Sequence, residues 1–212
     1  MVTNRILSEL PSSSVAVAIG LKTAIVSCSD KTGLADFCRR INGAFQIYST
    51  GGTASFLMES SIAAEPVSEL TGFPEILGGR VKTLHPRILG GILSRGKEDL
   101  EEMTRHGLTR IELVTVNLYP FSEVVSRKHD LSEAIENIDI GGVTLIRAAA
   151  KNYANVIVLT DPSDYGWVAD SISQGKDLSE KERLHLASKA LTYISDYDIT
   201  VARYFQSLEQ RL

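Results

Sequence analysis

Residues 22–53 read KTAIVSCSDKTGLADFCRRINGAFQIYSTGGT. Two short apolar runs, 23–28 (TAIVSC) and 45–49 (FQIYS), flank a stretch with helical character at 33–41. Each run is apolar on both faces, as a strand covered on both sides of a parallel sheet must be. Each also ends in a turn of small hydroxyl residues and glycine that leads into a helix. A strand, a helix and a second parallel strand make a right-handed crossover, which sets the class of the chain as α/β.

The alternation continues downstream. Further strands are predicted at 111–117 (IELVTVN) and 155–160 (NVIVLT), and a weaker one at 89–93 (LGGIL). Helical stretches are predicted at 53–60, 97–106, 131–137 and 142–151. The predicted architecture is an open, mostly parallel α/β sheet flanked by helices, with a helical C-terminal extension. That extension, 179–210, has no Gly or Pro, and Leu184, Ala187, Leu191, Ile194 and Tyr197 recur at 3–4 spacing. Ser179 and Glu182 form a capping-box pattern at its start. It reads as one long helix or two in series, either packed on the body or serving as a dimer-forming arm.

Residues 22–212 are therefore assigned to one domain and 1–21 to an N-terminal extension. The apolar run Val15–Leu21 has the length of a signal h-region. Its approach holds Glu9 and a single Arg, and no small-x-small cleavage pattern follows, so an extension is favoured over a targeting peptide.

Composition narrows the function classes. At 212 residues, with 43% apolar and 23% charged, the chain can bury a core without disulfides or a structural metal. A net charge of −4 provides no basic nucleic-acid footprint, and no run approaches the ~18 apolar residues of a membrane span. Cys28 and Cys38 form no CxxC, and the four histidines show no metal-ligand spacing, so no metal site is expected. Two isolated thiols point to a reducing compartment, the cytoplasm.

In open parallel sheets ligands bind outside the carboxyl ends of the strands. After the first strand comes Ser29-Asp30-Lys31-Thr32-Gly33, and after the second Ser49-Thr50-Gly51-Gly52-Thr53. Free N–H groups and the positive dipole end of a following helix suit an anion. Taken singly, either turn is equally well an ordinary N-cap. Gly78-Gly79-Arg80-Val81-Lys82-Thr83-Leu84-His85-Pro86 adds two cations two residues apart, which point the same way in an extended loop. Arg offers a planar fork to a phosphate and Lys a point charge. His85 reads as a loop-packing residue. Asn117 and Tyr119 fall where the third strong strand ends, although Tyr119 also fits a core aromatic. Asp139 precedes Gly141-Gly142 at a helix start, where an N-cap is the plain alternative. Lys151 lies in the last turn of that helix, where a cation suits the dipole.

Together SDKTG, STGGT, SELTGFPEILGGRVKTLHP, NLYPF and IDIGGVTLIRAAAKN, in this order and spacing, resemble the IMP cyclohydrolase domain family. This is the N-terminal part of bifunctional purine biosynthesis proteins that also contain AICAR transformylase. The resemblance covers about residues 22–207 and implies a Rossmann-like, methylglyoxal-synthase-like fold, a mostly parallel sheet flanked by helices, and a homodimer. The implied reaction closes the ring of FAICAR to IMP and water, with no cofactor. The implied substrate contacts come from Ser29, Asp30, Lys31, Thr50, Gly51, Gly52, Thr53, Arg80, Val81, Lys82 and Thr83 at the phosphate and ribose. Asn117, Asp139, Ile140 and Gly141 are implied at the base side. Catalytic roles are implied for Lys82, Tyr119, Asp139 and Lys151. Two departures stand out: Val116 where some relatives carry Cys, and Thr50 in place of a Ser, which keeps the hydroxyl. An AICAR transformylase domain or protein is the implied partner. A regulatory nucleotide-binding module of the same fold is the competing reading; it needs the phosphate turns but not Asp139 with Tyr119 and Lys151. Methylglyoxal synthase, a phosphate-eliminating enzyme of this fold, should not need the TGFPEILGGRVKTLHP segment.

Overall fold

The computed structural model describes residues 20–210. Five parallel strands form one sheet: β1 (Lys22–Cys28), β2 (Phe45–Ser49), β3 (Glu65–Pro66), β4 (Leu113–Asn117) and β5 (Ile157–Leu159), in the order β3-β2-β1-β4-β5. The chain builds outward from β1 in one direction and then returns to its other side with β4. The strand order therefore reverses between β1 and β4, where open α/β sheets form a ligand crevice. Register sets Cys28 beside Asn117, so the SDKTG and NLYPF turns leave the sheet side by side.

Helices cover both faces. α1 (Leu34–Ile41) and α2 (Gly51–Glu59) follow β1 and β2, and α3 (Val67–Thr71) follows β3. α4 (Pro86–Leu93) and α5 (Leu100–Arg105) lead to β4; α6 (Phe121–Ser126), α7 (Leu131–Glu136) and α8 (Gly141–Lys151) lead to β5; α9 (Tyr165–Ser173) and α10 (Glu180–Glu209) complete the chain. α8 and α10 pack against each other and over β4 and β5, while α1 and α9 pair on the opposite side of the core. The central strands β1 and β4 are almost wholly buried, as their two-faced apolar character requires.

Three expectations are corrected. Residues 89–93 lie in α4, not in a strand. His85 caps this helix by accepting the Arg87 N–H at Nδ1 (3.2 Å), and Pro86 occupies its first turn. Gly91 within this helix admits a close approach: a Cβ there would lie 2.3 Å from the Thr109 carbonyl oxygen. Second, the buried stripe of α10 runs through Arg183, Leu186, Ala187, Ala190, Ile194 and Tyr197, leaving Leu184 and Leu191 facing out. The helix is rotated from the predicted face because small Ala187 and Ala190 let it approach α8. Third, three short helices, α3, α6 and α9, stand where the sequence pattern predicts no element. The single 30-residue helix and its Ser179–Glu182 capping box are present. The reading of residues 1–19 lies outside the described residues. Among the described residues no helix is long and apolar enough to cross a membrane.

Candidate functional site

A cavity of about 330 Å³ opens at the carboxyl end of the sheet, lined by Ser27, Arg80, Lys82, Thr83, Tyr119, Glu136, Asp139, Ile140 and the Gly141-Gly142 pair among others. Three segments far apart in sequence meet here. The first is the 73–85 loop, a small hairpin closed by the Ile76–Val81 bridge and turned through Leu77, Gly78 and Gly79, all with positive φ. The hairpin projects Arg80 and Lys82 to one side, as their two-residue spacing predicts. The second is Tyr119, just beyond β4, and the third is the Asp139 turn at the start of α8.

Asp139 is half-buried. Its Oδ1 accepts the Gly142 N–H at 2.6 Å, so the carboxylate sits over the first turn of α8. Burial raises its pKa, against lowering by the Gly142 N–H and by the Lys82 ammonium acting through space. Such a carboxylate is a stronger base than an exposed one. The two glycines are required by space: a Cβ on Gly141 would lie 2.6 Å from Thr83 Oγ1, and one on Gly142 2.6 Å from Leu118 Cδ2 and 2.8 Å from Asp139 Oδ2. Only bare backbone lets the Asp139 turn close on the Lys82–Thr83 segment.

At the other end of the crevice lies the turn into α2. Thr50 Oγ1 is 2.6 Å from Ser27 Oγ, and Ser27 lines the cavity, so the STGGT turn adjoins it. The first N–H groups of α2 have no intrahelical acceptor. Added Cβ atoms on Gly51 and Gly52 would meet nothing within 4 Å, so the approach to that helix end is open. Lys31 leans across from the SDKTG turn, its ammonium 6.0 Å from the centre of the Phe56 ring of α2 and bonded to the Ser29 carbonyl (3.3 Å). The α2 amino terminus and the Lys31 ammonium are the groups at this end that suit an anion, while Arg80 lines the cavity itself. Arg80 is forked onto Glu136, and this pair raises the guanidinium pKa and lowers that of the carboxyl.

Other anticipated residues stand elsewhere or are otherwise engaged. The Asn117 side-chain amide clamps the Asp30 backbone, accepting its N–H at 2.8 Å and donating to its C=O at 2.9 Å. The Asp30 carboxylate accepts the Thr32 N–H at 2.8 Å, which lowers its pKa. Thr53 Oγ1 both accepts from and donates to the Cys28 backbone (3.0 and 2.9 Å). These groups shape the turns. Val81 uses its backbone in the hairpin bridge. Ser29 donates its N–H to the Asn117 carbonyl at 3.3 Å. Lys151 is exposed in the last turn of α8, about 15 Å along the axis from the Asp139 end.

A larger cavity, about 770 Å³, lies between the β1, β4 and β5 ends and α10. Asp30, Glu123, Asp161 and Asp196 line it, with Lys189 already paired to Asp161 and Asp164. Four carboxylates around one neutralised ammonium repel a dianionic phosphate, so size does not make this the anion site. The sequence reading did not place Ser27, Glu136 or Gly142 at the cavity, nor Tyr193 and Tyr197 of α10 against its loops. Tyr193 accepts the Leu118 N–H at 2.8 Å and Tyr197 the Asp139 N–H at 2.7 Å.

The chain is similar to known proteins along most of its length. The MGS-like domain model matches residues 33–144, and the AICARFT/IMPCHase bienzyme model matches residues 149–212. The bifunctional purine biosynthesis protein PurH of Acetivibrio thermocellus is 45% identical over 190 residues, 88% of this chain and 37% of that protein. Its counterpart from Thermoanaerobacter sp. (strain X514) is 45% identical over 187 residues, 86% of this chain and 37% of that protein. The chain thus spans little more than a third of the length of these curated relatives. The crystal structure of ForH superposes with a TM-score of 0.78 at 36% identity, covering 87% of this chain and 97% of that one.

Proposed function

The chain belongs to the MGS-like domain family and matches the IMP cyclohydrolase domain of bifunctional purine biosynthesis proteins, and on that premise we propose that it closes the ring of FAICAR to give IMP and water. The observation that carries this reading is the meeting of Lys82, Tyr119 and Asp139 around one cavity that Arg80 and Ser27 also line, Ser27 being bonded to Thr50 of the turn into α2.

Nucleophile and electrophile share one molecule in this substrate, so orientation should contribute well under the ~7–11 kcal/mol available when separate reactants are held together. The difficulty is electronic. The carboxamide nitrogen is a poor nucleophile because its lone pair is delocalised into its own carbonyl. Asp139 takes a proton from this nitrogen as it attacks the formyl carbon and the new C–N bond forms. A positioned base of this kind gives ~10²–10⁴-fold. Lys82 and Tyr119 meet the charge that develops on the formyl oxygen and protonate it to a carbinol. The formamido nitrogen then gives up its proton as the C–O bond breaks and the ring C=N bond forms, and the hydroxyl, protonated a second time, departs as water. A lost donor to such an oxygen typically costs ~3–4 kcal/mol. At the other end Arg80, Lys31, Thr50 and the Gly51-Gly52 backbone hold the phosphate, and Thr83, Ile140 and Gly141 border the heterocycle. Asp30, Asn117 and Thr53 support the phosphate turns from behind.

The homodimer and Lys151 belong together in this proposal. α8 holds Lys151 about 15 Å from the Asp139 end of its own chain, so it serves ring closure from a second copy. The formyl group of the substrate must be installed by a formyl-transfer reaction, which we assign to an AICAR transformylase domain or protein acting with this chain.

The test is to add purified chain to FAICAR without metal and follow IMP by absorbance. Turnover is expected. IMP binding without turnover would replace this reading with a regulatory nucleotide-binding module.

A further inference from the structure

We infer that Tyr193 and Tyr197, which contribute no group to the reacting atoms, are positioning residues that splint both catalytic loops to α10. The inference rests on the ring-closing reading above. Tyr193 and Tyr197 are four residues apart, so their side chains project from one face of α10. Each hydroxyl accepts a main-chain N–H from a different site loop. The Tyr193 oxygen takes the Leu118 N–H at 2.8 Å, one residue before Tyr119. The Tyr197 oxygen takes the N–H of Asp139 itself at 2.7 Å.

Neither loop has regular structure to hold these amides. Leu118 lies just past the end of β4, and Asp139 lies two residues before α8 begins. Both are points where a backbone N–H loses its ladder or helix partner. α10 supplies the missing acceptors from a rigid, well-packed element that is itself fixed by a capping box at Ser179. The Tyr197 ring is held in turn by Phe121 in an edge contact with centroids 6.5 Å apart. Burial and the Asp139 carboxylate both raise the phenol pKa of Tyr197, so the hydroxyl stays protonated and fixed beside the base. The distance between the two loops, and so the distance from donor to base across the cavity, is then set by one helical turn of α10.

The functional groups of the site would still be present without these hydroxyls, but each loop would lose its hydrogen-bonded anchor on α10. The consequence falls on the geometry of reaction more than on binding, because the phosphate seat is built from other elements.

The test uses Tyr193→Phe and Tyr197→Phe, which keep the rings and remove only the acceptors. Each should lower kcat about 10-fold while KM stays within about twofold, the change expected for one lost hydrogen bond at a positioned group. In Tyr197→Phe the acid limb of the kcat/KM profile should also move to higher pH, because an apolar ring edge replaces a hydroxyl beside a carboxyl that burial already raises. Tyr204→Phe is the control. Tyr204 lies on the same helix but bonds His129 (3.2 Å), and its loss should leave kcat and the pH profile unchanged. Phe variants that match the unmodified chain in kcat overturn the inference, as does a loss that Tyr204→Phe shares. A lower melting temperature with the acid limb unmoved shows that Tyr197 has only a structural role. Should Tyr197→Phe not fold, Tyr193→Phe reads the same inference at the other loop. If the unmodified chain does not turn FAICAR over, it is the functional reading that fails.

Discussion

Replacing Gly141 with Ala adds one methyl group at the closest approach in the site. The new Cβ would lie 2.6 Å from Thr83 Oγ1, which is 0.8 Å short of the 3.4 Å at which ordinary contact begins. Thr83 is 4% exposed and next to Lys82, so it cannot simply swing into solvent. The strain must open the Asp139 turn away from the Lys82–Thr83 segment by most of that shortfall. Overpacking of this kind costs ~1–3 kcal/mol of stability. A displacement near 1 Å between positioned groups costs on the order of 100-fold in rate. Steady-state FAICAR cyclisation should therefore show kcat down about 100-fold with a smaller change in KM. Gly43→Ala is the control, because its Cβ would meet nothing within 4 Å, and it should retain full activity. A Gly141→Ala enzyme within twofold of the unmodified kcat would show that the close approach of the two loops is not what the reaction uses.

Three further outcomes follow from the same geometry. The Asp139 pKa is raised in the fold, so ionising it costs stability as pH rises from the unfolded carboxyl pKa through the folded one. Asp139→Asn should melt higher than the unmodified chain at pH 7, with the gain vanishing below the ordinary carboxyl range, while turnover is lost; a lower melting temperature at pH 7 would contradict burial as the dominant cause. Arg80 is paired with Glu136 in the free chain, so Arg80→Ala should raise KM more than it lowers kcat, and Glu136→Gln should lower KM by releasing the fork; an unchanged KM for Arg80→Ala removes it from the phosphate seat. Lys151→Ala and Lys82→Ala chains should each be inactive alone, and equal mixing should recover about a quarter of the unmodified rate through mixed dimers with one intact site each; no recovery after exchange of subunits would deny Lys151 a role across the dimer.

Much of the fold was legible because β1, β2 and β4 are short and apolar on both faces, the pattern that a strand lying between two layers of helices must have. LGGIL misled because a short apolar run fits a buried strand or a buried helix segment equally well, and the tight approach of Gly91 to Thr109 is tertiary and leaves no local trace. Leu184 and Leu191 fit a helical stripe as well as the residues that are buried, and only the small side chains facing α8 determine the rotation. At the site, Tyr119 stood out by its place after a strand, Arg80 and Lys82 by their spacing beside two glycines, and Asp139 by preceding a glycine pair at a helix start; the fold brings these four to one cavity. The engagement of Asn117 with Asp30 and of Thr53 with Cys28 was not legible, since a side chain's hydrogen-bond partner is set by folding. Tyr197 reads in the sequence only as a core aromatic; its hydroxyl acquires meaning once the fold brings the Asp139 N–H against it.

The most direct measurement is a structure of the chain with IMP bound. The phosphate is expected among Arg80, Lys31 and the amino end of α2, and the base within hydrogen-bond distance of Asp139. IMP seated instead in the larger cavity beneath α10, against Asp161, His185 and Lys189, would contradict that placement and the ring-closing chemistry built on it.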